Sequence, residues 1–209
     1  AVGREASGLI GEGDEVLVPG FTYVATYAAI VHTRAVPVLV EIDDSLTIDP
    51  IDLERKVTDK TKAIIAVHML GNPCDMDAVK TVADRHGLFL IEDACQAAGA
   101  SFRGRRVGSL GTLAAFSFNR YKLMSAGEGG IVTTSDPALY ERAFAVHDQG
   151  HTPLGSGKIQ TDRSLIGLNL KMNELTGAVA LAQLRKLGGI LAALRKRKDL
   201  LKSLVEDVE

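Results

Sequence analysis

Hydrophobic and polar positions along the chain alternate between short apolar runs and longer amphipathic stretches. Short runs rich in β-branched residues predict strands, and stretches with apolar residues three or four positions apart predict helices. The predicted strands are 15–18, 36–40, 62–68, 88–91, 113–118 and 130–134, and the predicted helices are 22–32, 51–56, 75–86, 136–146, 173–187 and 190–204. Strands and helices alternate up to residue 91, which is typical of an α/β domain with a mainly parallel sheet flanked by helices.

The pattern changes in the second half of the chain. The strands at 113–118 and 130–134 are separated by a glycine-rich loop with no full helix between them. The polar, glycine-containing stretch 149–164 predicts a loop, for which we expect contacts to a substrate or to a second subunit. The pair Gly188-Gly189 predicts a break between the last two helices, because glycine weakens a helix interior.

Composition narrows the possible functions. The net charge is −2, so no strong basic field suggests a nucleic-acid partner, and we expect the basic run 195–198 to be a solvated helix face. The two cysteines form no CxxC pair, so we expect no disulfide framework and no structural zinc site. We see no run of about 18 apolar residues and no apolar leader, and therefore expect a soluble cytoplasmic protein without a membrane span.

The chain begins with Ala1 rather than Met, within what resembles the tail of a helix over residues 1–10. It ends in a charged helical segment with no closing element. We therefore expect a fragment of a longer protein.

Polar residues follow three of the predicted strands, at the carboxyl ends where parallel sheets bind ligands. Asp93 follows an apolar strand, and a partly desolvated carboxylate there requires a cationic partner; for a lone Asp, a helix cap or an ion pair is the alternative. Lys122 follows a strand and an aromatic-rich turn. A lone lysine there is usually a surface residue, but in a partly apolar pocket it can act as an amine nucleophile.

Other residues near these strand ends suit a phosphorylated ligand. The Ser117 hydroxyl could donate to a phosphate, and the glycines of 127–130 let the backbone approach a ligand closely. Together with Asp93 and Lys122, they indicate a ligand with a phosphate, a protonatable ring nitrogen and an aldehyde. Pyridoxal 5'-phosphate (PLP) has all three groups. His68 ends a buried strand and is expected to be a structural histidine.

The ordered series 91–100, 107–108, 116–122 and 127–130 is similar to the motif series of the DegT/DnrJ/EryC1/StrS aminotransferases. These are sugar and aminocyclitol aminotransferases of the fold-type I PLP superfamily. The resemblance extends from Gly13 to Leu184 and so covers nearly the whole chain. It implies that residues 1–165 are a PLP-binding large domain without its N-terminal part. Residues 166–209 would be a helical segment leading to a small C-terminal domain that lies outside this sequence.

The resemblance also implies roles for single residues. Lys122 would bind the PLP aldehyde as a Schiff base and then move the proton between the substrate Cα and C4′. Asp93 would bind the pyridinium nitrogen, Gln96 would contact the ring and Ser117 would bind the phosphate. Tyr23 would stack on the ring, although a core position is the alternative for this residue.

Three further residues have implied roles that depend on a substrate or a second subunit. Asn169 would reach the phosphate of the neighbouring subunit in a homodimer. Lys171 would lie near an anionic group of the substrate. Glu128 would either contact the substrate or orient the glycine-rich loop.

The implied activity is transfer of an amino group from L-glutamate or L-glutamine to a keto-sugar, often nucleotide-linked, or to a keto-cyclitol. Some relatives carry His in place of the lysine and dehydrate sugars, so Lys122 favours amino transfer. The Gly-Thr or Gly-Ser pair that binds the phosphate in relatives would lie before Ala1. A nicotinamide oxidoreductase would need GxGxxG after the first strand, where this chain has PGFTYV. A truncated or inactive relative that serves only as an interaction domain is the other alternative.

Overall fold

The computed structural model describes residues 10–153, 159–160 and 165–205. The strands are β1 (Glu15–Pro19), β2 (Val36–Val40), β3 (Thr61–Val67), β4 (Phe89–Asp93), β5 (Ser101–Phe102), β6 (Arg105–Arg106), β7 (Leu113–Ser117), β8 (Gly130–Thr133), β9 (Thr152–Pro153) and β10 (Ile159–Gln160). The helices are α1 (Val24–His32), α2 (Pro50–Arg55), α3 (Met76–His86), α4 (Pro137–His147) and α5 (Glu174–Val205), and a short 3-10 helix spans Met69–Gly71. Of the predicted helix tail at 1–10, only Ile10 lies within the described residues.

A six-stranded sheet in the order β2-β1-β3-β4-β7-β8 forms the centre of the molecule. Neighbouring strands from β2 to β7 run parallel, and only β8 runs antiparallel to its neighbour β7. This arrangement confirms the predicted α/β class with a mainly parallel sheet. Parallel strands end at the same edge of a sheet, so the polar residues that follow β1, β4 and β7 are brought to one side of the molecule.

Both faces of the sheet are buried. Along β3, Ile64 and Ala66 join one apolar cluster, while Ala63, Ile65 and Val67 join the other. Successive strand residues point to opposite faces, so a sheet covered on both sides needs apolar residues at nearly every position. That requirement explains why the central strands are continuous apolar runs in the sequence.

Aspartate caps position three of the helices. The side chains of Asp49, Asp75 and Asp136 accept hydrogen bonds from backbone N–H groups in the first turns of α2, α3 and α4. These bonds satisfy donors that have no partner within a helix. α3 ends at Gly87, whose φ of 61° is the left-handed conformation that favours glycine.

Two predictions about the second half of the chain are wrong. Helix α5 continues through Gly188 and Gly189, where a break was predicted. Each glycine costs a helix only about 1 kcal/mol, which neighbouring alanine and leucine residues offset. The predicted loop 149–164 contains β9 and β10, which pair antiparallel with each other. The small β5–β6 hairpin was also not predicted.

The sequence predicts no membrane-spanning helix, but α5 meets the criteria of length and composition for one. By length and by the composition of one 18-residue stretch, it is apolar enough to cross a membrane, and only 6% of that stretch is buried here. Length and composition alone are weak evidence for a span. Ala180 of this helix packs with Phe118 and Met124, which follow β7.

Candidate active site

Four of the sequence-predicted site residues lie near the carboxyl ends of β1, β4 and β7. Asp93 is the last residue of β4, Ser117 is the last residue of β7, and Tyr23 follows β1. The Lys122 Nζ atom lies 5.9 Å from the centroid of the Tyr23 ring. The cluster therefore contains an amine, a carboxylate, a hydroxyl and an aromatic ring.

Asp93 is half-buried and both of its carboxylate oxygens accept hydrogen bonds. The Thr26 hydroxyl donates to Oδ2 over 2.8 Å, and the Cys95 backbone N–H donates to Oδ1 over 3.1 Å. The predicted cationic partner is not found, since no ion pair of Asp93 occurs among the described residues. A half-buried carboxylate without an internal cation suits a ligand that brings its own positive charge.

Lys122 lies in a tight turn after β7 and is half-buried. Its backbone N–H donates to the Asn119 carbonyl oxygen over 2.8 Å, which fixes the turn. Its ammonium group lies within cation–π range of the Tyr23 ring. Tyr23 is 65% exposed, so the alternative of a core tyrosine does not hold.

Gln96 and Ser117 are held in different ways. The Gln96 Oε1 atom accepts a bond from the Leu70 backbone N–H over 3.1 Å, and its Nε2 donates to the Met69 sulfur over 3.4 Å. The Ser117 Oγ atom accepts a bond of 3.3 Å from the backbone N–H of Asn119. Because Ser117 acts as an acceptor in that bond, its hydroxyl proton can still donate to a ligand.

Hydrogen bonds join the glycine-rich loop 127–130 to the turn that contains Lys122. The Asn119 Nδ2 atom donates to Glu128 Oε1 over 2.9 Å, and Asn119 also forms a parallel bridge with Gly127. Gly127 has a φ of 87°, which favours glycine. These contacts support the interpretation that Glu128 orients the loop.

Asn169 and Lys171 lie beside the end of α4. Asn169 forms an antiparallel bridge with Asp148, and the Lys171 ammonium donates to the Asp148 carboxylate. The hydrogen bond from Lys171 holds the pKa of Asp148 below its usual value. Among the described residues, no hydrogen bond or ion pair joins either residue to Asp93 or Lys122. Their roles toward a neighbouring subunit or a substrate remain predictions.

Sequence reasoning overlooked the role of Thr26. Thr26 is 5% exposed and reaches Asp93 from α1, 67 positions earlier in the chain. The only sequence signal was a hydroxyl residue on the otherwise apolar inner face of a predicted helix. A contact at this sequence separation depends on how α1 packs against the sheet, which the local pattern does not specify.

A second carboxylate, Glu92, lies next to Asp93 but on the other face of β4. Glu92 and His68 are both fully buried and share a 3.0 Å hydrogen bond, as expected for a structural histidine. Glu92 also accepts bonds from the backbone N–H groups of Gly108, Leu110 and Gly111. Burial alone would raise the pKa of Glu92, but these bonds outweigh burial and hold it below its usual value.

The surroundings of both cysteines raise the pKa values of their thiols. Burial raises the pKa of Cys74 to about 12. Burial, together with the nearby Asp93 carboxylate, raises the pKa of Cys95 to about 12. Cys95 is therefore a protonated thiol beside the site rather than a nucleophile.

A mostly parallel sheet flanked by helices, with a lysine, a carboxylate and a hydroxyl near the carboxyl ends of its strands, is the fold-type I arrangement of PLP-dependent transferases. A model of the DegT/DnrJ/EryC1/StrS aminotransferase family matches residues 5–209. The chain belongs to this family, which confirms the resemblance seen in the sequence.

Individual relatives agree with that assignment. The chain is 40% identical to the L-glutamine:2-deoxy-scyllo-inosose aminotransferase of Streptomyces kanamyceticus, covering 98% of this chain and 49% of that protein. It is 38% identical to the GDP-perosamine synthase of Escherichia coli O157:H7, covering 95% of this chain and 54% of that protein. The chain therefore spans about half the length of the curated relatives that it matches.

A solved structure shows the same fold. The GDP-4-keto-6-deoxy-D-mannose-3-dehydratase of E. coli, determined with bound hydrated PLP, superposes with a TM-score of 0.85 at 27% identity. The match covers 94% of this chain and 54% of the dehydratase. The relatives of this chain therefore include both aminotransferases and a dehydratase.

Proposed function

We propose that this chain is part of a PLP-dependent aminotransferase that moves an amino group onto a keto-sugar or a keto-cyclitol. The observation that carries the proposal is the position of the Lys122 amine, 5.9 Å from the Tyr23 ring, at the same edge of the sheet as Asp93. Membership in an aminotransferase family supports the same reaction.

The residues of the cluster match the functional groups of PLP. The Asp93 carboxylate would hold the protonated ring nitrogen, the Ser117 hydroxyl would bind the phosphate and the Lys122 amine would take the aldehyde. No ion pair of Asp93 occurs among the described residues, which fits this assignment. When bound, PLP supplies an aldehyde that takes up an amino group and a ring that accepts electrons.

The chain's own residues would then perform the proton transfers. The Lys122 amine, once released from the cofactor, would remove the proton from the substrate Cα and return it at the cofactor's C4′ position. Tyr23 and Gln96 would bound the ring and limit the access of water. Glu128 would keep the glycine-rich loop in place through Asn119.

The names of the relatives guide the choice of substrates. L-Glutamine is the donor named for the inosose aminotransferase, and we propose L-glutamine or L-glutamate as the donor here. The acceptor would be a keto-sugar, often nucleotide-linked, or a keto-cyclitol. The dehydratase is a second PLP chemistry on this fold, but the amine of Lys122 favours amino transfer.

We further propose the arrangement of the whole protein. Residues 1–165 would belong to the PLP-binding large domain, and 166–209 would lead to a small C-terminal domain. The protein would be a cytoplasmic homodimer in which Asn169 reaches the phosphate in the neighbouring subunit and Lys171 lies near an anionic substrate group. The Asp148 contacts of both residues would have to coexist with these roles.

Borohydride reduction of the full-length protein with PLP tests the central assignment. We expect the reduced cofactor to be found on Lys122 by peptide mass spectrometry, and Lys122→Ala to lose both the label and the half-reaction with the donor. Lys80→Ala, which removes an exposed lysine on α3, is the matched control and should keep both. Label at another lysine, or unchanged turnover in Lys122→Ala, would contradict the proposal.

A panel of amino donors and keto acceptors tests the substrate class. Production of an aminated sugar or cyclitol from L-glutamine or L-glutamate would support the proposed reaction. Loss of a hydroxyl group from the sugar without transfer of nitrogen would instead identify a dehydratase.

A further inference from the structure

Thr22, which precedes α1, and Thr26, in the first turn of α1, form a hydrogen-bonded chain that ends on Asp93. The Thr26 hydroxyl is buried and lies 2.8 Å from Asp93 Oδ2. The Thr22 and Thr26 hydroxyl oxygens lie 2.9 Å apart. Thr22 therefore reaches the carboxylate through Thr26.

The direction of this chain follows from counting protons. Each threonine hydroxyl has one proton to donate, and an ionised carboxylate can only accept. The Thr26 proton is used toward Asp93, so Thr26 must accept the proton of Thr22. The order of donation is therefore Thr22 to Thr26 to Asp93, and bonds in such a chain strengthen one another.

The bonds to Asp93 fix the carboxylate and still leave it free to accept. Oδ2 receives one bond from Thr26, and Oδ1 receives one from the Cys95 backbone N–H. Each carboxylate oxygen has capacity for a second bond. The Cys95 thiol also forms a hydrogen bond with this carboxylate. These bonds restrain rotation of the group, and the lone pairs that they leave can accept from a ligand.

The same short segment also contacts the lysine. Tyr23 lies between Thr22 and Thr26, and its ring is the one that lies 5.9 Å from Lys122 Nζ. The start of α1 thus holds the carboxylate through Thr26, and its N-cap residue Tyr23 borders the amine. A shift of this turn would change the position of both groups together.

We propose that Thr26, supported by Thr22, is a positioning residue that fixes Asp93 for the ring nitrogen of the cofactor. This inference rests on the proposed function, in which Asp93 binds that nitrogen. Valine is β-branched like threonine and has nearly the same shape but no hydroxyl, so it keeps the packing contacts of Thr26 and removes its hydrogen bonds.

The test uses the full-length protein with PLP and the variants Thr26→Val, Thr26→Ser and Thr22→Val. A hydrogen bond to a charged group contributes enough that we expect Thr26→Val to weaken PLP binding about tenfold. Thr26→Ser should recover most of the affinity. Thr22→Val should have a smaller effect in the same direction, because the bond from Thr26 remains.

The pH dependence of the lysine-bound PLP absorbance provides a second readout. A well-placed Asp93 keeps the ring nitrogen protonated, and this positive charge lowers the pKa of the nearby lysine-derived nitrogen. If Asp93 is displaced, the ring nitrogen loses its proton more easily. The midpoint of the absorbance change with pH should then rise by roughly half a pH unit or more. Thr26→Ser should return the midpoint toward that of the unmodified protein. A packing role would not move this midpoint.

Thr81→Val is the matched control, because the Thr81 hydroxyl donates only to a carbonyl within α3 and is exposed. A folded Thr26→Val protein with unchanged affinity and midpoint would overturn this proposal and leave the proposed function intact. If Thr26→Val does not fold, an unchanged midpoint in Thr22→Val would overturn it instead. An unmodified protein that takes up no PLP would overturn the proposed function, and this proposal with it.

Discussion

At the residue scale, Glu92 links stability to pH. Its pKa in the folded protein lies below the usual value, because four hydrogen bonds to the carboxylate outweigh the effect of burial. A carboxyl group whose pKa is lowered by folding stabilises the folded state at pH values above its unfolded pKa, which is about 4.3. That contribution is lost as the pH falls through the lower, folded-state pKa.

We therefore expect Glu92→Gln to lower the free energy of unfolding at pH 7 by about 3 kcal/mol. Four donors surround the two carboxylate oxygens, and the amide that replaces them would point its own N–H groups at some of these donors. The variant should also lose part of the decline in stability below about pH 4. Urea denaturation at several pH values measures both effects. Glu174→Gln, at an exposed glutamate of α5, should change neither. Equal stability of Glu92→Gln and the unmodified protein at pH 7 would show that the carboxylate contributes nothing.

The cysteines provide a second prediction at this scale. With a pKa of about 12, only about one thiol in 10⁴ is ionised at pH 8 for Cys74 and for Cys95. Neither thiol should therefore react at an appreciable rate with Ellman's reagent in the native protein, and both should react after denaturation. Fast labelling of Cys95 in the folded protein would show that its surroundings are more open than this structure has them.

At the scale of elements, the continuity of α5 can be tested at one of its two adjacent glycines. A Cβ atom added at Gly189 would meet no atom within 4 Å, so Gly189→Ala should stabilise the protein by roughly 0.5–1 kcal/mol. A break at this position would make the same change neutral or unfavourable. Thermal or urea denaturation distinguishes the two results.

Gly108→Ala is the opposite case for comparison. Gly108 has a φ of 87°, and a Cβ atom there would collide with the ring of Phe116. Its N–H also donates to Glu92. We expect this change to destabilise the protein by more than 1 kcal/mol in the same assay.

The sequence predicts those parts of the fold and of the candidate site that depend on local interactions. The central strands, the aspartate-capped helices and the strand-end residues Asp93 and Lys122 follow from apolar runs, caps and the geometry of parallel sheets. The predicted break in α5 was wrong because glycine only weakens a helix, and the rest of a long helix can outweigh that cost. The contact of Thr26 with Asp93 could not be predicted, because it depends on the packing of elements that are far apart in the chain.

At the scale of the whole molecule, α5 exposes many apolar residues. Leu200 and Leu204, one helical turn apart, are 60% and 70% exposed. Large exposed apolar surfaces usually mark sites of association. We expect this 209-residue chain to self-associate in solution and Leu200→Glu with Leu204→Glu to shift it toward the monomer.

Sedimentation velocity measures this change directly. Lys198→Glu, on the same helix, controls for the added negative charge and should leave the association unchanged. A monomeric unmodified chain across the accessible concentration range would contradict the expectation.

The neighbouring carboxylates of β4 set a limit on how this protein can be redesigned. Asp93 faces the candidate site and Glu92 faces the interior, because adjacent residues of a strand point to opposite faces. Deletion of one residue in the turn at Gly87 would move Asp93 into the place of Glu92, among the interior N–H donors, and Ala94 into the place of Asp93, so the site would lose its carboxylate. Efforts to change substrate preference are therefore safer in loops that leave the register of this strand unaltered.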